Sequence, residues 1–147
     1  MVMSKACVNA VRAMVYLAAA PDNERRGHVS IRAVAEELGL SFHFLTKTLQ
    51  RLTADGLLKS ERGPRGGVAL ARPAGEISLL EIVGSIDGND LQDQCILGLR
   101  GCGQEAPCPM HDEWVRERKR IQEIFKRSTL QRLARAVREG SVRLKDS

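Results

Sequence analysis

Residues 29–58 read VSIRAVAEELGLSFHFLTKTLQRLTADGLL, and the spacing of their apolar positions decides the fold. Ser30 stands where a helix N-cap belongs, and Val29 and Val34 are placed for a hydrophobic staple over it. Ile31, Val34, Ala35 and Leu38 recur on one helical face, and Gly39 suits the left-handed position that ends the helix. A short turn leads into a second helix with a buried stripe of Phe42, Leu45, Leu49 and Leu52, stopped at Gly56. The opposite face carries Ser41, His43, Thr46, Lys47, Gln50 and Arg51. All of these can donate hydrogen bonds and none is acidic. Two short helices joined by a Gly-containing turn form a helix-turn-helix, whose second helix enters the DNA major groove.

Downstream, Leu57–Glu61 and Val68–Ala71 flank RGPRGG at 62–67, which predicts a hairpin with Arg62 and Arg65 on a tight tip. A hairpin after a helix-turn-helix is a wing. Arginines on such a projection can enter the negative minor groove. A charged helix face standing alone reads equally well as a solvated surface. The order helix, helix, arginine-tipped hairpin favours DNA, as does a formal net charge of +5. On this reading Lys47, Arg51 and Arg65 contact phosphates, and Ser41, His43, Thr46 and Gln50 lie nearer base edges.

Outside this unit, Cys7, Val11, Met14, Val15 and Ala18 repeat at helical spacing. Asn9 and Arg12 break the apolar run, so this is an amphipathic first helix rather than a signal peptide or membrane span. A cytoplasmic, reducing location is the expectation. The segment 21–28 reads as a polar loop. Ser78 and Glu81 form a capping box, with Ile77 and Ile82 as staple and Gly88 as stop. Ser128 and Gln131 suggest a second box. Residues 112–127 carry Trp114, Val115, Ile121, Ile124 and Phe125 among many charges. That apolar stripe is too narrow for burial in a monomer and suggests a partner helix. A two-fold dimer on a palindromic double-stranded DNA operator follows as an expectation.

Between these helices lies CILGLRGCGQEAPCPMH, residues 95–111, with three of the chain's four cysteines and one of its three histidines. Cys95, Cys102, Cys108 and His111 give C-x6-C-x5-C-x2-H. Thiolates are soft donors for zinc or iron–sulfur clusters. Gly98, Gly101 and Gly103 let the backbone wrap closely, and Ile96, Leu97 and Leu99 are placed to exclude water. Zinc sites usually contain a C-x2-4-C pair, absent here. Thiol-based redox sensing without a metal stays open. A catalytic Cys108–His111 pair lacks a positioned base and oxyanion site, so no catalytic residue is assigned. Cys7 reads as core.

The run from Val29 to Gly88 followed by a three-cysteine loop resembles the Rrf2 family of bacterial transcription regulators, with similarity from Lys5 to about Val137. The resemblance implies a dimeric winged helix-turn-helix. It also implies an iron–sulfur cluster, [2Fe-2S] or [4Fe-4S], on Cys95, Cys102 and Cys108. One branch places a histidine where His111 stands. Another takes an acidic ligand from the partner's first helix, but this chain has Cys7, Val8 and Asn9 there. The implied fourth ligand is thus His111, with Cys7 or a residue of the partner chain as the alternatives. Arg62 matches the wing arginine that enters the minor groove, and Thr46 the residue that tunes base preference.

The expected architecture is mainly α with a small β-hairpin wing: a winged helix-turn-helix with a C-terminal dimerisation helix. Residues 1–88 form the DNA-binding domain, 89–111 the cluster-binding loop, and 112–147 the dimerisation helix and tail. The expected function is an operator-binding regulator, a repressor, controlled by the cluster. The alternatives are thiol sensing on the same fold, or a redox or metal-binding module making only protein contacts.

Overall fold

The computed structural model describes residues 2–20 and 27–146, so most of the expected polar loop at 21–28 lies outside the described residues. Helix α1 spans Lys5–Ala19 and is capped by Ser4, whose hydroxyl accepts the Cys7 amide. Helix α2, Ile31–Leu38, is capped by Ser30 and ends on Gly39 in the left-handed region. Helix α3, Phe42–Ala54, is capped by Ser41. Strands β1 (Leu58–Glu61) and β2 (Gly67–Leu70) form an antiparallel hairpin pairing Leu58 with Leu70 and Glu61 with Gly67. A 3-10 turn at Ala74–Glu76 leads into α4, Leu79–Asp87. Helix α5 is one turn, Asp90–Asp93; α6 is His111–Arg127 and α7 is Leu130–Arg138.

The fold is therefore mostly helical with a two-stranded wing, as the apolar spacing implies. Aliphatic side chains fill the main core: Met14 and Leu17 of α1, Val34 of α2, Leu45, Leu49 and Leu52 of α3, and Val68 of the wing. The buried face of α1 is wider than the sequence suggests, because Ala10 and Ala13 are sealed while Val11 and Ala18 stay partly exposed. Leu130 and Ala134 of α7 are fully buried, and Leu130 joins the same core. A second, smaller cluster joins Cys7, Val83 and Leu91 to Ile121 and Phe125 of α6.

Two local features differ from expectation. Val29 exchanges backbone hydrogen bonds with Val68 at 2.9 and 2.8 Å, so a single β-bridge ties it to the wing. That pairing makes Gly67 obligatory: its φ is +148°, and a Cβ there would fall 2.1 Å from the Val29 carbonyl oxygen. The capping box of α4 is present, with both Ser78–Glu81 bonds made. The second box is not. Ser128 closes α6, donating its hydroxyl to the Ile124 carbonyl, and Thr129 caps α7 instead. A β-bridge between Ser78 and Thr129 sets the starts of α4 and α7 side by side, and that pairing commits Thr129 to the cap.

Candidate functional site

Helix α3 presents Ser41, His43, Lys47, Gln50 and Arg51 to solvent, while Thr46 is half-buried. Sequence order dictates this, because Leu45, Leu49 and Leu52 must reach the core and i+1 or i+2 positions then point outward. Arg62 and Arg65 are exposed on the hairpin tip. Two of these side chains are already engaged. The Thr46 hydroxyl donates to the Phe42 carbonyl at 2.7 Å, so only its oxygen lone pairs remain for a partner. Arg51 Nε donates to the Ser85 carbonyl at 3.2 Å and pairs with Asp55 at 3.3 Å, which draws it toward α4. Asp55 in turn accepts from the Ser85 hydroxyl at 2.6 Å. These contacts anchor the recognition helix on α4.

Two residues near this face escaped the sequence reading. Phe44 is 43% exposed on α3. Arg32 of α2 sits 4.4 Å from the centre of the Phe42 ring, a cation–π contact that places a positive charge at the start of α3. The signal for Arg32 was its place in the first turn of α2, beside the solvent face rather than on the apolar stripe.

The cysteine loop brings its donors together. The Sγ atoms of Cys95, Cys102 and Cys108 all lie within 4.8 Å of one another. Cys95 and Cys108 are 3.6 Å apart, and the Nδ1 of His111 is 3.4 Å from the Cys102 sulfur. The Cys108 amide donates to that same sulfur at 3.4 Å. Gly98 and Gly101, at φ +72° and +68°, make the reversals that allow the convergence. Cys7 is not part of this group. It is fully buried in the second cluster.

Their electrostatics differ. Amide hydrogen bonds, from Leu99 first and then Leu97, outweigh burial and bring the Cys95 thiol down to about 7. Burial pushes the Cys108 thiol up. Burial, reinforced by the Asp87 carboxylate, pushes Cys7 up to about 12. Among these three thiols, thiolate character therefore falls to Cys95, where soft-metal binding and oxidation both need it.

Helix α6 grips the start of this loop. Trp114 Nε1 donates to the Gln94 carbonyl at 2.8 Å, Arg118 donates to the same oxygen at 3.2 Å, and Gln122 donates to the Leu91 carbonyl at 3.3 Å. The i, i+4, i+8 spacing of the three was legible, but their partners were not. His111 is the first residue of α6, so one donor belongs to a helix and three to the loop. Ile96, Leu97 and Leu99, expected to shield the donors, are about half exposed, at 49%, 54% and 54%. No residue of α6 is buried, and Ile124 is 46% exposed. Among the described residues no helix is long and apolar enough to cross a membrane.

Residues 3–136 match the Rrf2 family, described as an iron-dependent transcriptional regulator. An HTH-type transcriptional regulator of Neisseria meningitidis is 33% identical over 132 residues, covering 89% of this chain and 86% of its own. The HTH-type transcriptional regulator IscR of Xenorhabdus nematophila is 31% identical over 113 residues, covering 77% and 68%. Among solved structures, CymR, the global cysteine regulator of B. subtilis, superposes with a TM-score of 0.74 at 25% identity, over 90% of this chain and 95% of that one. T. potens IscR does so with a TM-score of 0.73 at 27% identity, over 96% and 91%. The fold and the relatives alike are those of regulators and not of enzymes. The chain belongs to the Rrf2 family of transcriptional regulators.

Proposed function

We propose that the protein is a homodimeric, operator-binding regulator whose grip on DNA is set by an iron–sulfur cluster held by Cys95, Cys102, Cys108 and His111. The observation that carries this reading is the convergence of three soft sulfurs on the loop, with the His111 imidazole at the start of α6 beside one of them, Cys102. That donor set suits iron–sulfur chemistry, in which thiolates hold the cluster and histidine raises its potential. When bound, the cluster supplies a group whose redox state, nitrosylation or loss is chemically reversible.

The protein residues supply the rest. Lys47, Arg62 and Arg65 neutralise phosphates, with Arg62 directed to the minor groove. Arg51 reaches a phosphate from beside Asp55. Ser41 and His43 sit at the start of α3, the part that meets base edges in such motifs. Thr46, its proton committed within the helix, accepts from the amino group of an adenine or cytosine. Gln50 fits a bidentate contact to adenine. Val115 and Ile124 of α6, which lie outside the second cluster, pair with their copies in the dimer.

The route between the two sites is physical. Loop order fixes the Gln94 carbonyl, which Trp114 and Arg118 hold. Ile121 and Phe125 of the same helix pack against Val83 of α4. Ser85 of α4 holds Asp55 and Arg51 of α3. A shift of α6 thus reaches the recognition helix through two packed contacts. Anaerobic purification followed by an absorption spectrum, with gel shifts against the host's promoter fragments, tests the proposal. A colourless, iron-free protein that still binds its operator in a redox-dependent way refutes the cluster.

One observation favours a second reading, thiol sensing without a cluster. The sulfurs of Cys95 and Cys108 are neighbours in the loop, 3.6 Å apart. A peroxide would take two electrons and two protons from the pair, leaving one disulfide and two waters. Mass spectrometry of the peroxide-treated, metal-free protein decides between the readings: this one requires a Cys95–Cys108 bridge that changes operator affinity.

A further inference from the structure

We propose that Arg32 of α2 contacts a DNA phosphate and is set in place for it by the ring of Phe42. The inference rests on the DNA-binding part of the proposed function and not on the cluster.

The placement starts from the sequence. Arg32 is the second residue of α2 and is exposed, while Val34, Ala35 and Leu38 take the buried face. Helix α2 is the first helix of the helix-turn-helix. In that motif the first helix crosses the sugar–phosphate backbone and the second enters the groove. Phe42 opens α3, and its half-buried side chain packs against the main core. The guanidinium of Arg32 lies 4.4 Å from the centre of the Phe42 ring. The His43 imidazole meets the same ring edge-on, with centroids 5.6 Å apart and planes at 67°. A ring fixed by the core therefore touches both a cation from α2 and an imidazole from the exposed face of α3.

The chemistry separates Arg32 from the arginines that serve the fold. Arg12 donates to the Leu38 and Leu144 carbonyls, Arg72 to the Glu81 carboxylate, Arg118 to the Gln94 carbonyl and Arg138 to the Ala18 carbonyl. Among the described residues Arg32 makes no hydrogen bond or ion pair, and its contact is the ring. Its N–H donors are open to an acceptor from outside. A guanidinium stacked on a ring keeps those donors in its own plane, where they fork onto a pair of phosphate oxygens. The stack also holds a long side chain near one geometry before DNA arrives, so less freedom is lost on contact. Arg32 thus adds backbone grip beside the helix that reads the bases, and fixes the register in which α3 enters the groove.

The test measures binding of the full-length protein, purified anaerobically and kept in one cofactor state, to a labelled mixed-sequence duplex at several salt concentrations. A phosphate contact is independent of sequence, so no operator is needed. Arg32→Ala should flatten the dependence of log affinity on log salt by about one unit for each copy of Arg32 on the duplex. Arg32→Lys keeps the charge and loses the planar stack. Its slope should hold while affinity falls about 2- to 5-fold, the factor by which an exposed cation–π contact biases its own geometry. Phe42→Leu keeps the core apolar and removes the ring. It should lose affinity to the same degree, and adding Arg32→Lys to it should weaken binding no further. An unchanged slope in Arg32→Ala, or full additivity of Phe42→Leu and Arg32→Lys, would each overturn the proposal. Circular dichroism identifies a Phe42→Leu protein that fails to fold, and the exposed Arg32 variants then decide: Arg32→Lys must lose affinity at constant slope. A wild type that binds no duplex removes the DNA-binding reading as well. A wild type that binds, with Arg32→Ala equal to it in slope, removes this inference alone.

Discussion

The Nδ1 of His111 lies 3.4 Å from the Sγ of Cys102, nine residues earlier in the chain. This contact joins an exposed loop to the first turn of a helix whose far end packs on the core. Anything bound there is felt by α6, because His111, Trp114 and Arg118 lie on successive turns of one helix and two of them hold the Gln94 carbonyl.

Replacing Cys95, Cys102 and Cys108 together with serine should leave the basic face intact and abolish the response to the cofactor. Coupling between two sites of this kind is worth about 1–3 kcal/mol, or 5- to 150-fold in affinity. The wild-type protein should show a change of that size in gel shifts on loading or oxidation. The triple variant should show one fixed affinity. An unaltered response in the variant refutes control by the thiols.

Lys47→Ala and Arg62→Ala should each weaken binding to every DNA sequence. Each should also flatten the dependence of log affinity on log salt by about one unit, as expected for one lost phosphate contact. Arg51→Ala is the informative contrast. Its guanidinium is partly engaged by Asp55 and the Ser85 carbonyl, so its loss should change the slope less and loosen α3 on α4. Binding isotherms at three or more salt concentrations separate these outcomes.

Thiol alkylation should divide the four cysteines. In metal-free native protein at pH 8, Cys95 reacts first, since its amide hydrogen bonds hold the thiol down to about 7. Cys7 should stay unmodified, because it is fully buried and its thiol is pushed up to about 12. Unfolding should expose it. Peptide mapping after timed alkylation reads the order, and early labelling of Cys7 in folded protein would contradict the packing of the second cluster.

Trp114→Phe removes the indole donor to Gln94 and keeps most of the ring's packing. One hydrogen bond of this kind contributes about 0.5–1.5 kcal/mol. The expected effect is a small loss of global stability and a larger gain in protease cleavage between Gln94 and Cys108. Limited proteolysis with mass spectrometry distinguishes that from general unfolding, which would expose sites in α1 and α3 as well.

Much of this was legible in the chain because the deciding signals are local. Ser30, Ser41 and Ser78 announce helix starts, and the spacing of Leu45, Leu49 and Leu52 fixes which face of α3 remains outside. The three-sulfur group was legible for the same reason, since residues 95–111 hold all three cysteines. What stayed hidden depends on contacts between distant segments. Val29 looked like a staple residue, and only the return of the chain at Val68 gives it a β-bridge to the wing. Thr129 caps α7 because Ser78 lies beside it, which Ser128 and Gln131 could not reveal. Trp114 and Arg118 looked like part of a partner-facing helix until their shared carbonyl appeared.

The start of α4 gives a pH prediction. Burial tends to raise the Glu81 carboxyl, but the Ser78 amide at 3.0 Å and the Arg72 guanidinium at 2.6 Å outweigh it and hold the pKa below its ordinary value. A carboxyl with a depressed folded-state pKa stabilises the fold above its unfolded value of about 4.3. The contribution disappears as pH falls through the folded-state value. Glu81→Ala should therefore cost about 1 kcal/mol at pH 7, mostly from the lost cap. The Arg72 pair is partly exposed on both sides and adds little. At pH 3 the difference from wild type should shrink. Glu81→Gln keeps the hydrogen bond to the Ser78 amide and should lose less at pH 7, with little change across that window. Urea unfolding at both pH values measures all three. Because α4 holds α3 through Ser85 and Asp55, Glu81→Ala should also weaken operator binding modestly, with no change in the salt slope. A slope that changed would instead place Glu81 at the DNA surface.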